Sequence, residues 1–282
     1  MLEIDPLTPA IGAEIRGVDF SRPLSGELHD RIYQALLDYL VIFFRGTDIS
    51  PGMHLDFARQ FGEVDVPHPV YPHVDGFENI VLLDNDSGTP PDTNTWHADL
   101  TFKVKQPFAS IVAARVIPPT GGDTLWSSCY AAYERLSDGM RSHLEGLQGI
   151  HDMGDFRNSF VSDTDTPASV NRLNEKVSGF GHAIRPLIDV HPVTGKRFLS
   201  FNEAFVNHIV GLTTNESAAL RTYLANHMNK PEDQVRWRWR EGDIAMWDNR
   251  VTMHYAVADY LPARRCMNRV TVVSDRRSDP DG

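Results

Sequence analysis

Three His-x-Asp pairs are the residues in this sequence best suited to binding a metal ion. A His-x-carboxylate pair joined by a distant histidine forms a three-ligand face that leaves coordination positions open on non-haem iron. The pattern occurs at His54-Leu55-Asp56, His73-Val74-Asp75 and His97-Ala98-Asp99. Since three copies cannot all be the same site, the elements that position each pair must decide between them.

The first pair lies in a predicted helix. Ser50 and Pro51 form a typical helix start, and Gly62 a typical stop. On a helix, residues i and i+2 diverge by about 200°, so His54 and Asp56 cannot easily chelate one ion. We expect this pair to belong to a solvated helix face.

The other two pairs differ in their surroundings. His73-Val74-Asp75 runs into Gly76, which is typical of a turn with a structural role. The segment 95–102 around His97 and Asp99 is β-prone, and on a strand both side chains would face the same point. A hydrogen-bonded His and Asp without a metal is the alternative, so a third ligand is needed.

That ligand and a cationic strand follow near the C-terminus. The segment 247–254 ends in His254, and period-two alternation places Arg265, Met267, Arg269 and Thr271 on one face of a strand. An inward guanidinium must meet an anion, because burying it unpaired costs several kcal/mol. The alternative is that the two arginines form the solvent face of an edge strand.

The rest of the sequence predicts a mainly β scaffold with flanking helices. Helix starts are expected at Ser25, Ser50, Ser128, Ser137 and the capping box at Thr213, with the Ser137 helix ending near Gly149. Many short strands separated by turns favour a barrel or jelly roll of the α+β class. No repeat or composition break divides the chain, so we expect one domain over 1–282. The polar segment 155–184 has no period and is expected to be a lid or an irregular surface loop.

Composition limits the partners. With a net charge of -11 the chain lacks the basic surface that nucleic acids require. The alternation in 236–240 of arginine with tryptophan predicts a strand with Trp inward, rather than a single-strand binding surface. No apolar run approaches the ~20 residues of a membrane span, and Cys129 and Cys266 are expected to be small core residues. We expect a cytoplasmic homo-oligomer, either a dimer or a tetramer.

At this point the motifs resemble those of a known family. Trp96-His97-Ala98-Asp99, the segment 120–126 (TGGDTLW) and the segment from Trp247 through His254 to Arg269 are similar to the iron(II)/2-oxoglutarate dioxygenases of the taurine dioxygenase family. The resemblance implies a double-stranded β-helix of the cupin-like jelly-roll type. It also implies that His97, Asp99 and His254 bind Fe(II), and that Arg265, assisted by Thr124, binds the distal carboxylate of 2-oxoglutarate, with O2 as the other co-substrate.

The same resemblance implies a small anionic sulfonate as substrate. Arg269 and His68 would bind the sulfonate, with the backbone of Leu100 nearby; Phe160 and Phe205 would form walls, and Tyr71 would face the amino end. For the two phenylalanines, core packing is the alternative. Thr93 stands where the taurine branch usually has asparagine, so recognition of an amine is less secure than recognition of the sulfonate.

The reaction implied is hydroxylation of the carbon next to sulfur in taurine. Its products would be sulfite and aminoacetaldehyde, together with succinate and carbon dioxide. The same chemistry on another alkanesulfonate or an alkyl sulfate ester remains open. Two other classes remain as alternatives, namely a metal-dependent hydrolase or isomerase and a non-catalytic cupin-type anion binder.

Overall fold

A large mixed sheet runs through the computed structural model, which describes residues 2–68, 70–91, 94–153 and 181–278. Within these residues its strands, in spatial order, are β1 (Glu3–Pro6), β2 (Ala13–Arg16), β3 (Val41–Phe44), β14 (Ile244–Asp248), β6 (Ala109–Val116), β16 (Arg265–Val272), β5 (Phe77–Asn85) and β4 (His73–Val74). Neighbouring strands are antiparallel except for β2 and β3, which are parallel.

Smaller antiparallel sheets face the large one. They are β13 (Gln234–Trp237), β7 (Thr124–Ser128) and β15 (Thr252–Ala256); β12 (Val206–Ile209), β8 (Gln148–His151) and β9 (Ala183–Pro186); and β10 (Ile188–Val190) with β11 (Arg197–Leu199). Val112 and Met267 of the large sheet share one core with Trp126 and Trp237 of the small sheets. This packing of the small sheets against the large one is the predicted double-stranded β-helix, or jelly roll.

Five helices of the described residues flank the sheets. Each begins at a predicted serine or threonine, whose side chain accepts a hydrogen bond from a backbone N–H of the first turn. The helices are α1 (Gly26–Tyr39), α2 (Pro51–Phe61), α3 (Cys129–Glu134), α4 (Asp138–Leu144) and α5 (Thr214–Met228), followed by a short 3-10 helix (Pro231–Asp233). None of these helices is long and apolar enough to cross a membrane.

Two predicted boundaries were wrong. Helix α4 ends at Leu144 rather than near Gly149, because Gly146 adopts a left-handed φ of 85° that stops the helix one turn earlier. The segment 155–184 was predicted to be irregular, and residues 155–180 of it lie outside the described residues. Its last part was predicted incorrectly, since β9 begins at Ala183.

The solvated helix face predicted at His54 was also wrong. The side chain is fully buried, because this face of α2 packs on the large sheet, and its Nε2–H donates to the Ile111 carbonyl of β6 at 3.1 Å. Burial, together with the nearby charge of Arg115, lowers the pKa of His54 to about 3. Asp56 is exposed, so the two side chains do diverge as the helix geometry requires.

The remaining local predictions were confirmed. His73 begins the β4–β5 hairpin, in which Gly76 takes a φ of 74°, and so has a structural position. Trp237 and Trp239 are buried, whereas the arginines that alternate with them are exposed. Cys129 and Cys266 are buried, and burial raises the pKa of both thiols.

Candidate metal centre

His97, Asp99 and His254 lie together between the large sheet and the sheet of β13, β7 and β15. One ligand atom from each lies within 4.8 Å of the others, and no other such group of three is found in the parts of the chain that the structure describes. Nε2 of each histidine is 3.8 Å from Oδ1 of Asp99. All three residues are buried. Two imidazole nitrogens and one carboxylate oxygen are a donor set suited to iron(II) with open coordination positions.

The backbone that carries these ligands is not the strand predicted for 95–102. His97 forms an isolated bridge with His254, through N–H to carbonyl bonds of 3.1 and 2.7 Å, and a turn begins at Asp99. Leu100 in this turn has a left-handed φ of 54°. His97 and Asp99 therefore approach each other through a bridge followed by a turn, and not through period-two alternation.

Hydrogen bonds orient the first histidine and the carboxylate. Nδ1–H of His97 donates to the Thr95 carbonyl at 2.8 Å, which directs Nε2 toward Asp99. Ser110 on β6 donates to Oδ2 of Asp99 at 2.7 Å, and Nη1 of Arg269 on β16 donates to Oδ1 at 3.1 Å. Burial alone would raise the pKa of Asp99, but Arg269 and the cluster histidines hold it well below its usual range.

The second histidine is kept neutral by its surroundings. Burial and the neighbouring His97 lower the pKa of His254 to about 3. Neutral imidazole is the form that binds a metal ion. The cluster therefore combines an ionised carboxylate with a neutral imidazole before any metal enters.

A narrow cavity of about 60 Å³ adjoins the cluster and contains Arg265. Nε of Arg265 donates to the Gly122 carbonyl at 3.0 Å, and Nη2 of Arg265 lies 3.4 Å from Oγ1 of Thr124. The same Oγ1 also accepts a hydrogen bond from the Trp239 indole at 2.9 Å. Burial lowers the pKa of Arg265, but the guanidinium stays charged. Within the described residues no carboxylate lies at ion-pair distance from it. Because β16 lies between β5 and β6, the edge-strand alternative for the arginines is wrong.

Three residues that line this cavity have unsatisfied hydrogen-bond donors. Nε of Arg269 and the indole N–H groups of Trp126 and Trp247 are buried without a hydrogen-bond partner among the described residues. Unpaired buried donors cost about 1–3 kcal/mol each, so the core around the cavity is polar and its burial is costly. The Arg265 guanidinium lines the same cavity as the candidate metal ligands His97 and His254, which suits a small carboxylate.

Two of the predicted substrate-binding residues, His68 and Tyr71, lie beside Arg269. Nδ1 of His68 accepts hydrogen bonds from the backbone N–H groups of Val70 and Tyr71 at 3.2 and 3.1 Å, which places the ring proton on Nε2. Burial and the charge of Arg269 lower the pKa of His68 to about 3. The guanidinium carbon of Arg269 is 5.8 Å from the Tyr71 ring centre. These three side chains therefore form one polar group.

Phe205 joins the apolar side of the same region. Its ring lies 6.3 Å from that of His97, and it packs in a small cluster with Leu100, Phe102 and Met153. It is only 3% exposed, so core packing and a wall position are both consistent with its place. Two predicted substrate residues, Thr93 and Phe160, lie outside the described residues.

The loop after the carboxylate ligand is held by β8, β9 and the residues before β12. Arg185 donates to the carbonyls of Thr101 and Lys103 at 2.9 and 2.6 Å. The Thr101 hydroxyl lies 2.9 Å from Nδ1 of His151 and accepts from Asn202 at 3.2 Å. These contacts link the loop after Asp99 to sheets that are far away in the sequence.

The residue motifs did not reveal every residue that supports the cluster. Ser110 is a polar residue in an apolar strand, a signal that its hydroxyl has a buried partner. Asn249 lies within the motif that precedes His254, but its spacing alone did not indicate a contact with Asp99. Trp239 was predicted to point inward, but its bond to Thr124 was not foreseen.

Comparison with known proteins connects this site to several relatives. Residues 3–271 match the family model described as "Taurine catabolism dioxygenase TauD, TfdA family". An alpha-ketoglutarate-dependent sulfate ester dioxygenase of Pseudomonas putida is 39% identical, covering 100% of this chain and 92% of the relative. An alkylsulfatase of Acinetobacter baylyi is 36% identical, over 97% of this chain and 86% of the relative. The crystal structure of a taurine dioxygenase from Burkholderia xenovorans is 36% identical and superimposes with a TM-score of 0.81, covering 97% of this chain and 90% of that one.

Proposed function

Because the chain belongs to the TauD, TfdA family of dioxygenases, we propose that it is an iron(II)- and 2-oxoglutarate-dependent enzyme that oxidises a small sulfonate or sulfate ester. The observation that carries the proposal is the buried group of His97, Asp99 and His254 beside an Arg265 that has no acidic partner among the described residues. A metal-binding face and a cation for a carboxylate are both needed by this chemistry, and here they share one cavity.

The residues divide the work of holding the two co-substrates. His97, Asp99 and His254 would hold iron(II), which when bound supplies the oxidation of a C–H bond at the expense of 2-oxoglutarate and O2. Arg265 would bind the distal carboxylate of 2-oxoglutarate through its planar fork, with the Thr124 hydroxyl beside it. The indole rings around the cavity would exclude water.

Arg269 and His68 suit an anionic substrate. A sulfonate or sulfate ester stays charged at all working pH values and offers three acceptor oxygens, which suit the permanent cation of Arg269 with a neutral His68 beside it. Hydroxylation of the carbon next to sulfur, or next to the ester oxygen, gives a product that collapses to an aldehyde and sulfite or sulfate. One oxygen atom of O2 enters that product and the other enters succinate.

The identity of the anion is the finer part of the proposal. Taurine remains a prediction, and the Burkholderia taurine dioxygenase supports it. An alkyl sulfate ester is the second candidate, since the Pseudomonas sulfate ester dioxygenase is 39% identical over the whole chain. A hydrolase or isomerase would use the same three ligands but leaves Arg265 without a ligand, and a simple anion binder does not need an open metal face.

Product analysis with several substrates tests this function. The purified protein is supplied with iron(II), 2-oxoglutarate and air, and sulfite, sulfate and succinate are measured with taurine, longer alkanesulfonates and alkyl sulfates. We expect one of these anions to release sulfite or sulfate in equal amount to the substrate-stimulated succinate, and His97→Ala to abolish both.

Each other outcome has a definite meaning. Sulfate release without O2 or 2-oxoglutarate would identify a hydrolase. Succinate formation that none of the anions stimulates would refute the substrate class, while the cofactor proposal would stand. If taurine does not react but an alkyl sulfate is turned over, the sulfate ester replaces taurine as the proposed substrate.

A further inference from the structure

We propose that Asn249 is a positioning residue for the metal-binding Asp99. Its side-chain amide forms with the backbone of Asp99 the hydrogen bonds that a neighbouring β-strand would form. The inference rests on the proposed function, since it concerns how the metal ligands are held. It assigns a role to a residue that is not itself one of the three metal ligands.

The contact is a closed pair of hydrogen bonds between a side chain and a backbone. Oδ1 of Asn249 accepts from the backbone N–H of Asp99 at 2.8 Å, and Nδ2 donates to the backbone carbonyl of Asp99 at 2.8 Å. Two residues of neighbouring strands exchange the same N–H and C=O bonds. The amide of Asn249 therefore acts as a substitute peptide group, and both residues are buried.

The same residue also holds the far end of the loop that begins at Asp99. Its backbone N–H donates to the Phe108 carbonyl at 2.8 Å, and its carbonyl accepts from the Gln106 side chain at 3.3 Å. Nδ2 lies 3.4 Å from the Pro107 carbonyl. Both ends of the segment 99–108 are thus attached to Asn249, which fixes the path of the loop between them.

Asn249 is itself held firmly on the turn between β14 and β15. The neighbouring Asp248 is fully buried and accepts hydrogen bonds from Arg250 and His191, with Nε2 of His191 at 3.0 Å. Since the same turn leads directly into the strand of His254, one rigid element delivers a histidine ligand and fixes the carboxylate ligand. Removing the amide would leave the buried N–H and C=O of Asp99 unpaired and free the carboxylate to move relative to His254.

Metal affinity measures this role independently of turnover. Co(II), as a spectroscopic substitute for iron(II), is titrated into the metal-free protein and followed by its visible absorption, and the stability of each variant is measured by urea unfolding. We expect Asn249→Ala to bind Co(II) about 10- to 100-fold more weakly than the wild type, as supporting residues of metal sites commonly do when removed.

Thr252→Val is the matched control. Thr252 is fully buried at the start of β15, directly after the same turn, and its hydroxyl donates to the Asp248 carbonyl at 2.8 Å rather than to Asp99. Its removal should lower the free energy of unfolding as the loss of one buried hydrogen bond does, and leave Co(II) affinity within about threefold of the wild type. A Thr252→Val variant that binds as weakly as Asn249→Ala would overturn the proposal, because general loosening of the turn would then explain both.

A conservative variant covers the case in which Asn249→Ala does not fold. Asn249→Asp keeps the oxygen that accepts from Asp99 but loses the N–H that donates to it, so its Co(II) affinity should also fall. Wild-type affinity in either folded variant overturns the positioning role alone. If the wild type shows no Co(II) site that His254→Ala removes, the proposed function fails together with this inference.

Discussion

At the residue scale, the positions of two adjacent arginines determine what each guanidinium can bind. Arg264 is exposed and forms a two-bond ion pair with Asp84, at 2.8 and 2.7 Å. Arg265, one position later on β16, points into the cavity beside Thr124. Because successive residues of an extended chain face opposite sides, the Arg264 guanidinium, just before β16, pairs with a surface carboxylate, while that of Arg265 is buried and available to a ligand.

Substitution of these two residues separates their roles. Arg265→Gln should raise the KM for 2-oxoglutarate about 10- to 100-fold, since a hydrogen-bonded charge contributes about 1.5–3 kcal/mol. Arg264→Gln is the matched control and should leave this KM within about twofold, because its ion pair is on the surface. Steady-state rates at varied 2-oxoglutarate measure both. Equal effects of the two substitutions would contradict the assignment of Arg265.

The sequence predicted which residues form the candidate metal cluster, but not the contacts that hold them in place. The types and order of His97, Asp99 and His254 pointed to one cluster, and the structure brings them together. The supporting contact from Asn249 is absent from any local pattern, because it joins positions 150 residues apart. His54 was misplaced for the same reason, since its burial depends on which face of α2 meets the sheet.

At the element scale, local signals were reliable and long-range pairing was not. Each helix start was predicted, because a cap is formed by residues within one turn of it. The described segment 95–102 has strand-like residues, but the partners available to it decide its form, and only His97 forms a bridge, with His254. The internal position of β16 likewise follows from its neighbours β5 and β6 and not from its own residues.

The loop after Asp99 should depend on Arg185. This residue on β9 donates to the carbonyls of Thr101 and Lys103, so Arg185→Met removes charge-assisted bonds worth about 1.5–3 kcal/mol each. Amide hydrogen exchange in 100–104 should then speed up by about tenfold or more. Arg197→Met on β11 is the control, since Arg197 is exposed and pairs with Glu145. Unchanged exchange in Arg185→Met would show that other contacts hold the loop.

At the scale of the whole molecule, buried neutral histidines link folding to pH. Burial is the main cause that lowers the pKa of His54, His68, His151 and His254 to about 3 in the folded state. In the unfolded chain a histidine has a pKa near 6.5. As the pH falls below that value, the unfolded state takes up protons first, so the free energy of unfolding decreases steadily toward pH 3.

His54 allows this link to be tested away from the metal ligands. Its ring nitrogen Nε2 donates to Ile111, and Gln can place an N–H there without titrating. The substitution can change the stability at pH 7.5, so the change with pH is compared. Between pH 7.5 and 4.5 the free energy of unfolding of His54→Gln should fall less than that of the wild type. The difference should be about 2–3 kcal/mol, since each pH unit below 6.5 is worth about 1.4 kcal/mol per proton.

Urea unfolding of the metal-free protein at several pH values measures that difference. His143→Gln is the control, because His143 is exposed in the folded protein and its replacement removes no buried imidazole. If His54→Gln and the wild type lose stability in parallel as the pH falls, His54 is not a buried neutral histidine in solution. A smaller slope in His54→Gln alone would show that the packing of α2 on the large sheet sets part of the lower pH limit for stability of the whole fold.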